Sequence, residues 1–297
     1  MTEGDGQGTW LETGEMTVPN QSRFAEPQSG AGRHRMNWNP EDYARNSSAQ
    51  LVWARELISR MAFTGSEAVL DVGCADGKIT AEFARVLPHG FVLGVDSSAE
   101  FIAYASKHHP RSSFTQLHFE QMDARALDID REFDLVFSNA TLHWVDDHRA
   151  FLRCASEHLR PNGRLILSCG GAGNAAGIIA ALERMISSPA WGGYFRGFEF
   201  PYHFYSPDDY AVWLPAANLV AVRCELVEKD MVHDGPDGLA GWIRTTWMPY
   251  TQQLPESLRE QFISDLVSDY LRAHPADSSG RTHVQMTRLE VEATRGE

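Results

Sequence analysis

The 297-residue sequence predicts an α/β fold, in which strands of a mostly parallel sheet alternate with helices. Two observations support this prediction. Short apolar runs alternate with segments of helical periodicity between residues 68 and 170, and a glycine-containing turn follows the first run. Strands that alternate with helices are joined by right-handed crossovers, which place helices on both faces of a parallel sheet.

The predicted elements follow one another in a regular order. Residues 39–63 predict a helix with one apolar face, formed by Leu51, Val52, Ala54, Leu57, Ile58 and Met61. The predicted strands are residues 68–73, 91–96, 117–123, 133–140 and 164–170. In the helix that follows the second strand, Ser97 and Glu100 have the spacing of a capping box.

The pattern changes after residue 171. Residues 219–232 predict a further strand, and residues 284–295 alternate as an edge strand does, so a late hairpin is expected to end the sheet. The predicted organisation is a polar extension (1–35), a ligand-binding core (36–171), an aromatic-rich cap insertion (172–218) and the end of the sheet (219–297) with a second helical insertion (233–283). The extension is either a disordered tail or carries a short helix around Trp10–Met16 that docks over a pocket or on a neighbouring subunit; a helix docked on or swapped with a neighbouring subunit would support a homo-oligomer.

Composition excludes several classes of function. The formal net charge of −14 and the lack of a basic stripe argue against nucleic-acid binding. The four cysteines include no CxxC pair, so we expect reduced thiols and no metal site. Acidic residues stand where a signal peptide is basic, and no apolar run approaches the length of a membrane span. The sequence therefore predicts a cytoplasmic protein with no membrane partner.

The turn in VLDVGCADGKIT (69–80) excludes two common nucleotide motifs. Only three residues separate Gly73 from Gly77, and Ile79 follows Lys78, so the phosphate-binding P-loop pattern fails. Ala75 and Lys78 occupy positions where a dinucleotide fingerprint needs glycine. The remaining pattern suits a ligand that has an amino-acid group and a nucleoside but no phosphate.

Three aspartates follow successive predicted strands. Asp71 can meet an ammonium group, Asp96 can accept both ribose hydroxyls, and Asp123 can accept from an adenine amine. A single aspartate at a strand end is more often a cap or turn residue. Three of them beside this turn favour a nucleoside site.

The motifs VLDVGCADG, GVDSS, QMDA, FDLVFSNATLHW and LRPNGRLIL together resemble the motif series of class I S-adenosylmethionine (SAM)-dependent methyltransferases. WNPEDY, NATLHW and GWIRTTWMPY resemble the trans-aconitate methyltransferase-like subgroup, and the resemblance runs from about Met36 to the C-terminus. It implies a Rossmann-like fold, with a seven-stranded sheet, a C-terminal antiparallel hairpin strand and helical cap insertions. SAM would be the cofactor and S-adenosylhomocysteine its product, with no metal.

The resemblance also implies a set of cofactor contacts. The implied contacts are Asp71, Gly73 and Ala75 for the methionine moiety, Asp96 and Ser97 for the ribose, and Met122 and Asp123 for the adenine. Asn139 would lie beneath the sulfonium, and Tyr43 and Gln50 would close over the cofactor. Ala75 departs from the family, whose motif usually has its middle glycine there; because the added methyl is small, we expect binding to survive.

Tyr43 and His143 are the candidate catalytic residues, and His143 is the candidate base. A base is required only if the nucleophile must lose a proton, and a histidine at this position can equally pack or hydrogen-bond. His203 and His233 have less support.

The cap insertion predicts the substrate pocket. Ten of the 23 residues in 191–213 are aromatic, which suits either a pocket for an apolar substrate or the core of a cap. The candidate pocket residues are Trp191, Phe195, Phe198, Phe204, Arg244, Trp247 and Met248.

Two acceptor classes follow for this small-molecule methyltransferase. The favoured one is a small apolar specialised metabolite, such as a prenyl or terpenoid compound whose double bond is methylated at carbon through a carbocation. The alternative is O-methylation of a small carboxylate, which needs arginine contacts. Carboxylate-binding relatives are expected to have a cation near Pro249, where this chain has Met248; Arg196 and Arg244 keep the alternative open. A catalytically silent SAM-binding protein is a minor third interpretation.

Overall fold

A computed structural model describes residue 1 and residues 38–297 of the chain. The predicted docking helix around Trp10–Met16, and with it the suggested route to a homo-oligomer, lies outside the described residues. For the rest of the chain, the α/β prediction is confirmed.

The described residues form one seven-stranded sheet. Its strands are β1 (Ala68–Val72), β2 (Phe91–Asp96), β3 (Leu117–Gln121), β4 (Phe133–Asn139), β5 (Leu159–Gly170), β6 (Leu219–His233) and β7 (Thr282–Arg295). The order across the sheet is β3-β2-β1-β4-β5-β7-β6. The first five strands are parallel, and β7 runs antiparallel to both β5 and β6.

Helices cover the sheet and build a cap beyond it. They are α1 (Pro40–Asn46), α2 (Ser48–Ser59), α3 (Lys78–Val86), α4 (Ala99–His108), α5 (His148–His158), α6 (Ala176–Ile186), α7 (Pro207–Ala216), α8 (Gly235–Thr246), α9 (Met248–Thr251) and α10 (Glu256–Ala273), with 3-10 turns at Leu142–Trp144 and Gly192–Phe195. One buried cluster packs α2 and α3 on the sheet, a second packs α5 and α7 on it, and a third joins α6, α8 and α10 into the cap.

The predicted first helix is in fact two helices. The chain leaves helical geometry at Ser47, a fully buried residue whose hydroxyl accepts a 2.5 Å hydrogen bond from the Lys78 ammonium of α3. After this break the inward face of α2 includes Trp53, while Val52, which the periodicity assigned to the apolar face, is 53% exposed.

Two further local predictions are wrong. The N-cap of α4 is Ser98, whose hydroxyl accepts from the Phe101 amide at 3.2 Å, so the predicted capping box between Ser97 and Glu100 does not form. The second concerns the edge of the sheet. Residues 284–295 do not form the edge strand, because β7 is paired on both sides and β6 is the edge.

Candidate cofactor and acceptor site

The turn after β1 can be built only with glycine at its first position. The amides of Gly73 and Cys74 both donate to the Val95 carbonyl, at 2.8 and 3.0 Å. Gly73 has φ of +80°, and a Cβ at this position would lie 2.1 Å from the side chain of Thr141. The backbone here is therefore held against β2 and against the loop after β4.

Ala75 takes a left-handed backbone conformation, with φ of 46°. Its amide donates to Asp96 Oδ2 at 3.1 Å, which ties the turn to the end of β2. The size of the Ala75 methyl group is the smaller consequence of this substitution for glycine. The larger consequence is conformational, since the left-handed region costs a residue other than glycine about 1–2 kcal/mol.

Asp71 lies deeper beneath this turn than Asp96 does. Asp96 lines the cavity described below; its Oδ1 accepts from the Ser98 amide at 2.9 Å, and burial raises its pKa. Asp71 lies behind the cavity wall and accepts from the Thr80 hydroxyl at 2.7 Å. Burial raises the pKa of Asp71 to about 7. Asp71 therefore supports the turn from below.

A cavity opens over the carboxyl ends of β1, β2 and β4 and extends beneath the cap, with about 930 Å³ of empty space including its mouth. Its wall includes nine of the predicted site residues. They are Tyr43, Gln50, Gly73, Ala75, Asp96, Ser97, His143, Phe204 and Trp247. The carboxyl edge of a parallel sheet is where open α/β folds bind ligands, so the residues of the nucleoside turn and of the cap share one site.

The cofactor end of the cavity has groups that fit a sulfonium nucleoside with an amino-acid tail. Gln50 Oε1 is buried and has no hydrogen-bond partner among the described residues, so it is an acceptor available to an ammonium group. Burial and the nearby Asp76 and Asp96 raise the pKa of Tyr43, which therefore stays a neutral hydroxyl. Tyr43 packs edge-on against Phe101 at 5.2 Å, closing the cavity from α1.

The predicted adenine contacts do not line this cavity. The Met122 amide donates to the Asp96 carbonyl at 3.0 Å, which places it next to the ribose end. The Asp123 carboxylate is bonded by the Arg125 guanidinium at 2.5 and 2.9 Å, and Arg125 also pairs with Asp146. An adenine amine would have to share Asp123 with this ion pair.

Asn139 is buried behind the cavity wall and forms hydrogen bonds with two residues of that wall. Its amide donates to the Gln50 carbonyl of α2 at 3.0 Å, and its oxygen accepts from the Arg288 guanidinium of β7 at 3.3 Å. Asn139 therefore holds the end of β4 between two groups that do line the cavity.

Several residues predicted for the substrate pocket are instead core or surface residues. Trp191 and Phe195 pack against Phe262 of α10 at 5.2 and 5.6 Å, in the core of the cap. Phe198 packs on Tyr250, and Met248 is buried without lining the cavity.

Arg244 is also outside the cavity. It forms an ion pair with Glu260 at 2.9 Å, and the two line a separate groove between α8 and α10. The side chain leaves α8 on the side that faces α10, so an acceptor in the cavity does not meet it.

His143 lines the cavity but is poorly suited to act as a base. Burial, with Arg288 nearby, lowers the pKa of His143 to about 3. Its Nδ1 accepts from the Gly170 amide at 3.4 Å, and a neutral imidazole that accepts at Nδ1 carries its proton on Nε2. His143 therefore presents a donor, and the predicted role as a base has no support in its surroundings.

The sequence analysis missed Arg288, which lines the cavity from β7 and is 3% exposed. Nε donates to Ser168 Oγ at 3.2 Å, and Nη2 donates to the Ser168 carbonyl at 2.6 Å and to Asn139. No carboxylate of the described residues forms an ion pair with it, and Nη1 has no acceptor there. Burial lowers the pKa of Arg288 only to about 10, so it is a buried cation at neutral pH.

The sequence did not predict that Trp242 and Trp247 together provide two hydrogen-bond donors. Trp242 Nε1 and Trp247 Nε1 are buried in the cavity wall and have no acceptor among the described residues. The sequence signal was the spacing of the two tryptophans around α8, but only the fold shows that both N–H groups are unpaired. At the cofactor end of the cavity, Asp96 and Gln50 offer hydrogen-bond acceptors. At the acceptor end, where the methyl acceptor is expected to bind, Arg288, Trp242 and Trp247 offer hydrogen-bond donors.

The described part of the chain has no cluster of three or more histidine, cysteine or acidic side chains that could hold a metal ion. None of its helices combines the length and the apolar character that crossing a bilayer requires.

Comparisons with known proteins identify the family of the chain. A family model described as a methyltransferase domain matches residues 64–189. The chain is 31% identical over 272 residues to trans-aconitate 2-methyltransferase of Deinococcus radiodurans, covering 88% of this chain and 100% of that one. The enzyme of the same name from Azoarcus sp. is 28% identical over 264 residues, covering 87% and 99%. A phosphoethanolamine N-methyltransferase of Haemonchus contortus, solved with S-adenosylhomocysteine, shares the fold with a TM-score of 0.56 at 14% identity, covering 87% of this chain and 57% of that one.

Three findings define a SAM-dependent methyltransferase: the sheet order, a turn that suits a nucleoside ligand without phosphate, and the similarity to these proteins. The chain belongs to the class I SAM-dependent methyltransferases and, within them, to the trans-aconitate methyltransferase-like subgroup. It is therefore an enzyme, and the interpretation as a silent SAM-binding protein is set aside.

Proposed function

We propose that this enzyme methylates a carboxylate oxygen of a small organic acid. The observation that supports this most strongly is Arg288, a buried guanidinium in the cavity wall whose Nη1 donors have no acceptor among the described residues. The free donors on Nη1 and the positive charge of the guanidinium suit a carboxylate oxygen. The names of the two trans-aconitate 2-methyltransferases support the same class of acceptor.

The residues at the cofactor end would hold SAM. Asp96 would accept from the ribose hydroxyls, Gln50 Oε1 from the ammonium group, and the backbone at Gly73 would allow close approach. When bound, SAM supplies an electrophilic methyl group: a bond forms between a carboxylate oxygen and that carbon, the carbon–sulfur bond breaks, and S-adenosylhomocysteine leaves as a neutral thioether without any proton transfer.

The protein's own contribution is alignment and exclusion of water. Arg288 would fix one end of the acid, and the rings of Trp144, Tyr202 and Phe204 would keep water from the reacting atoms. A carboxylate is already an anion at neutral pH, so no base is required. This agrees with the neutral, donor form of His143.

Carbon methylation of a prenyl or terpenoid double bond, which the aromatic cap favoured, is the weaker proposal. That reaction passes through a carbocation, and the buried positive charge of Arg288 would destabilise a second positive charge nearby. Of the aromatic residues that suggested it, Trp191, Phe195 and Phe198 lie in the core of the cap, whereas Phe204 and Trp247 line the cavity.

The test uses the chemistry of the product. The purified enzyme is incubated with SAM labelled in the methyl group and a panel of small acids, and the product is then treated with mild alkali. We expect the label to be released as methanol, because a methyl ester is hydrolysed and a carbon-bound methyl group is not. Label that stays in the organic product after alkali would contradict the proposal.

A further inference from the structure

We infer that the acid has a single carboxylate, bound by Arg288, on a flat apolar body whose far end carries an uncharged oxygen group bound by Trp242 and Trp247. This inference rests on the proposed function and specifies its substrate. Three features of the cavity wall lead to it: its charge, its rings and its unpaired donors.

The charge of the wall allows one carboxylate. Among the described residues, Arg288 is the one lysine or arginine that lines the cavity, and Asp96, at the cofactor end, is the one acid. A second carboxylate would be desolvated without a cation, which is strongly unfavourable inside a protein. Arg244, the other cation considered for this role, is paired with Glu260 outside the cavity.

The rings of the wall suit a flat apolar body. Tyr202 and Phe204 are nearly parallel, with an angle of 6° between their planes, and Tyr202 meets Trp144 and Trp247 edge-on at 4.8 and 5.0 Å. Aromatic faces and edges arranged in this way favour an aromatic or conjugated ligand over a flexible, hydrated one.

The two indoles pack in the same buried cluster as a residue on the strand face of the guanidinium. Met286, two residues before Arg288 on β7, also lines the cavity and packs in one cluster with Trp242 and Trp247. Two residues of strand span about 7 Å, so the pocket extends from the cation toward the indoles by roughly the length of a substituted ring. The two indole rings are 6.0 Å apart, and both N–H groups are buried.

An indole N–H suits a neutral oxygen. It donates one hydrogen bond and carries no charge, so it can satisfy a hydroxyl or carbonyl oxygen but cannot compensate for a buried carboxylate. The two tryptophans therefore distinguish an acid with a neutral oxygen at its far end from a diacid of the same length.

The test compares four acids in the ester-formation assay: cinnamate, 4-hydroxycinnamate, 4-carboxycinnamate and trans-aconitate. We expect 4-hydroxycinnamate to have the highest kcat/KM, and the two polycarboxylates to be lower by about 100-fold or more, because each would bury an unpaired charge. Equal or higher kcat/KM for 4-carboxycinnamate or trans-aconitate would overturn the inference while leaving carboxylate methylation intact. If calorimetry shows SAM binding but no acid is esterified, the proposed function itself fails.

Two variants test the donors separately from the shape of the pocket. Trp242→Phe and Trp247→Phe remove the N–H groups and keep an aromatic ring. We expect each to lower the ratio of kcat/KM for 4-hydroxycinnamate to kcat/KM for cinnamate by about 10-fold, the effect of one hydrogen bond to a buried group. An equal loss for both acids, with thermal melting unchanged, would mean that the rings act by shape alone and would overturn the assignment of the donors.

Discussion

Replacing Arg288 with methionine tests the proposed acceptor site most directly. Methionine keeps an unbranched side chain of similar reach but removes the charge and every donor. In the wild-type protein three of the five N–H groups are used by Ser168 and Asn139, which leaves the two on Nη1 for a ligand. Hydrogen bonds to a charged group contribute about 1.5–3 kcal/mol each. Loss of one such contact from Nη1 therefore predicts a fall of roughly 10- to 100-fold in kcat/KM for the acid, since 1.4 kcal/mol corresponds to a factor of ten.

The same substitution should have a small effect on stability. Removing Arg288 takes away its bonds to Ser168 and Asn139, but it also removes the cost of burying a cation, and such terms often nearly cancel. We expect the free energy of unfolding to change by less than about 2 kcal/mol in denaturant titration. Arg244→Met is the matched control, because its exposed ion pair with Glu260 lies outside the cavity, and it should leave kcat/KM within about 2-fold.

Two measurements are needed to interpret the result. Steady-state kinetics give kcat/KM for the acid, and calorimetry gives the Kd for SAM. An unchanged kcat/KM in the Arg288→Met protein would refute the assignment. A Kd for SAM that rises by the same factor would also refute the assignment, because it would show that Arg288 binds the methionine carboxylate of the cofactor.

Three other predictions concern the cofactor turn and the candidate base. Because the pKa of Asp71 is about 7 in the folded protein and near 3.8 when unfolded, the folded state retains a proton that the unfolded chain releases. The unfolding free energy of the ligand-free protein should therefore fall as pH rises from about 4 to 7, by up to about 1.4 kcal/mol per pH unit, and urea titrations should show a smaller slope in Asp71→Asn, where the raised pKa of Asp96 remains. Ala75→Gly should raise the free energy of unfolding by about 0.5–1 kcal/mol, since relief of the left-handed conformation exceeds the added entropy of the unfolded chain; a lower value in the same titrations would contradict this. His143→Asn should lower kcat by less than about 10-fold, whereas loss of a true general base costs 100-fold or more.

The parallel half of the sheet was predictable for a physical reason. Strands buried on both faces are continuous apolar runs, and β1, β2 and β4 each begin within a residue of the predicted position. The break at Ser47 was not predictable, because it depends on a hydrogen bond to Lys78, which lies 31 residues further along the chain.

The acceptor end of the cavity was harder to predict than the cofactor end. Gly73, Ala75 and Asp96 are close in the sequence or follow adjacent strands, so local patterns bring them together. Arg288 stands in a segment that alternates as an edge strand does, and an arginine there is expected to face solvent. It is instead buried against Ser168 of β5, Asn139 of β4 and the Trp53 ring of α2, contacts that only the fold brings together. Arg244 shows the reverse error, because it was predicted to line the pocket and lies outside it. Its nearness to a motif in the sequence does not determine on which side of α8 its side chain lies.

Arg288 has no carboxylate partner among the described residues, and this has a consequence for turnover. An acid enters the pocket as an anion, but its methyl ester has no charge to offer Arg288. Once the ester has formed, the site again holds a buried cation without a counter-ion, which is an unfavourable state. A fresh anion therefore competes well against the neutral product, and we expect the methyl ester to be a weak inhibitor of the enzyme that makes it.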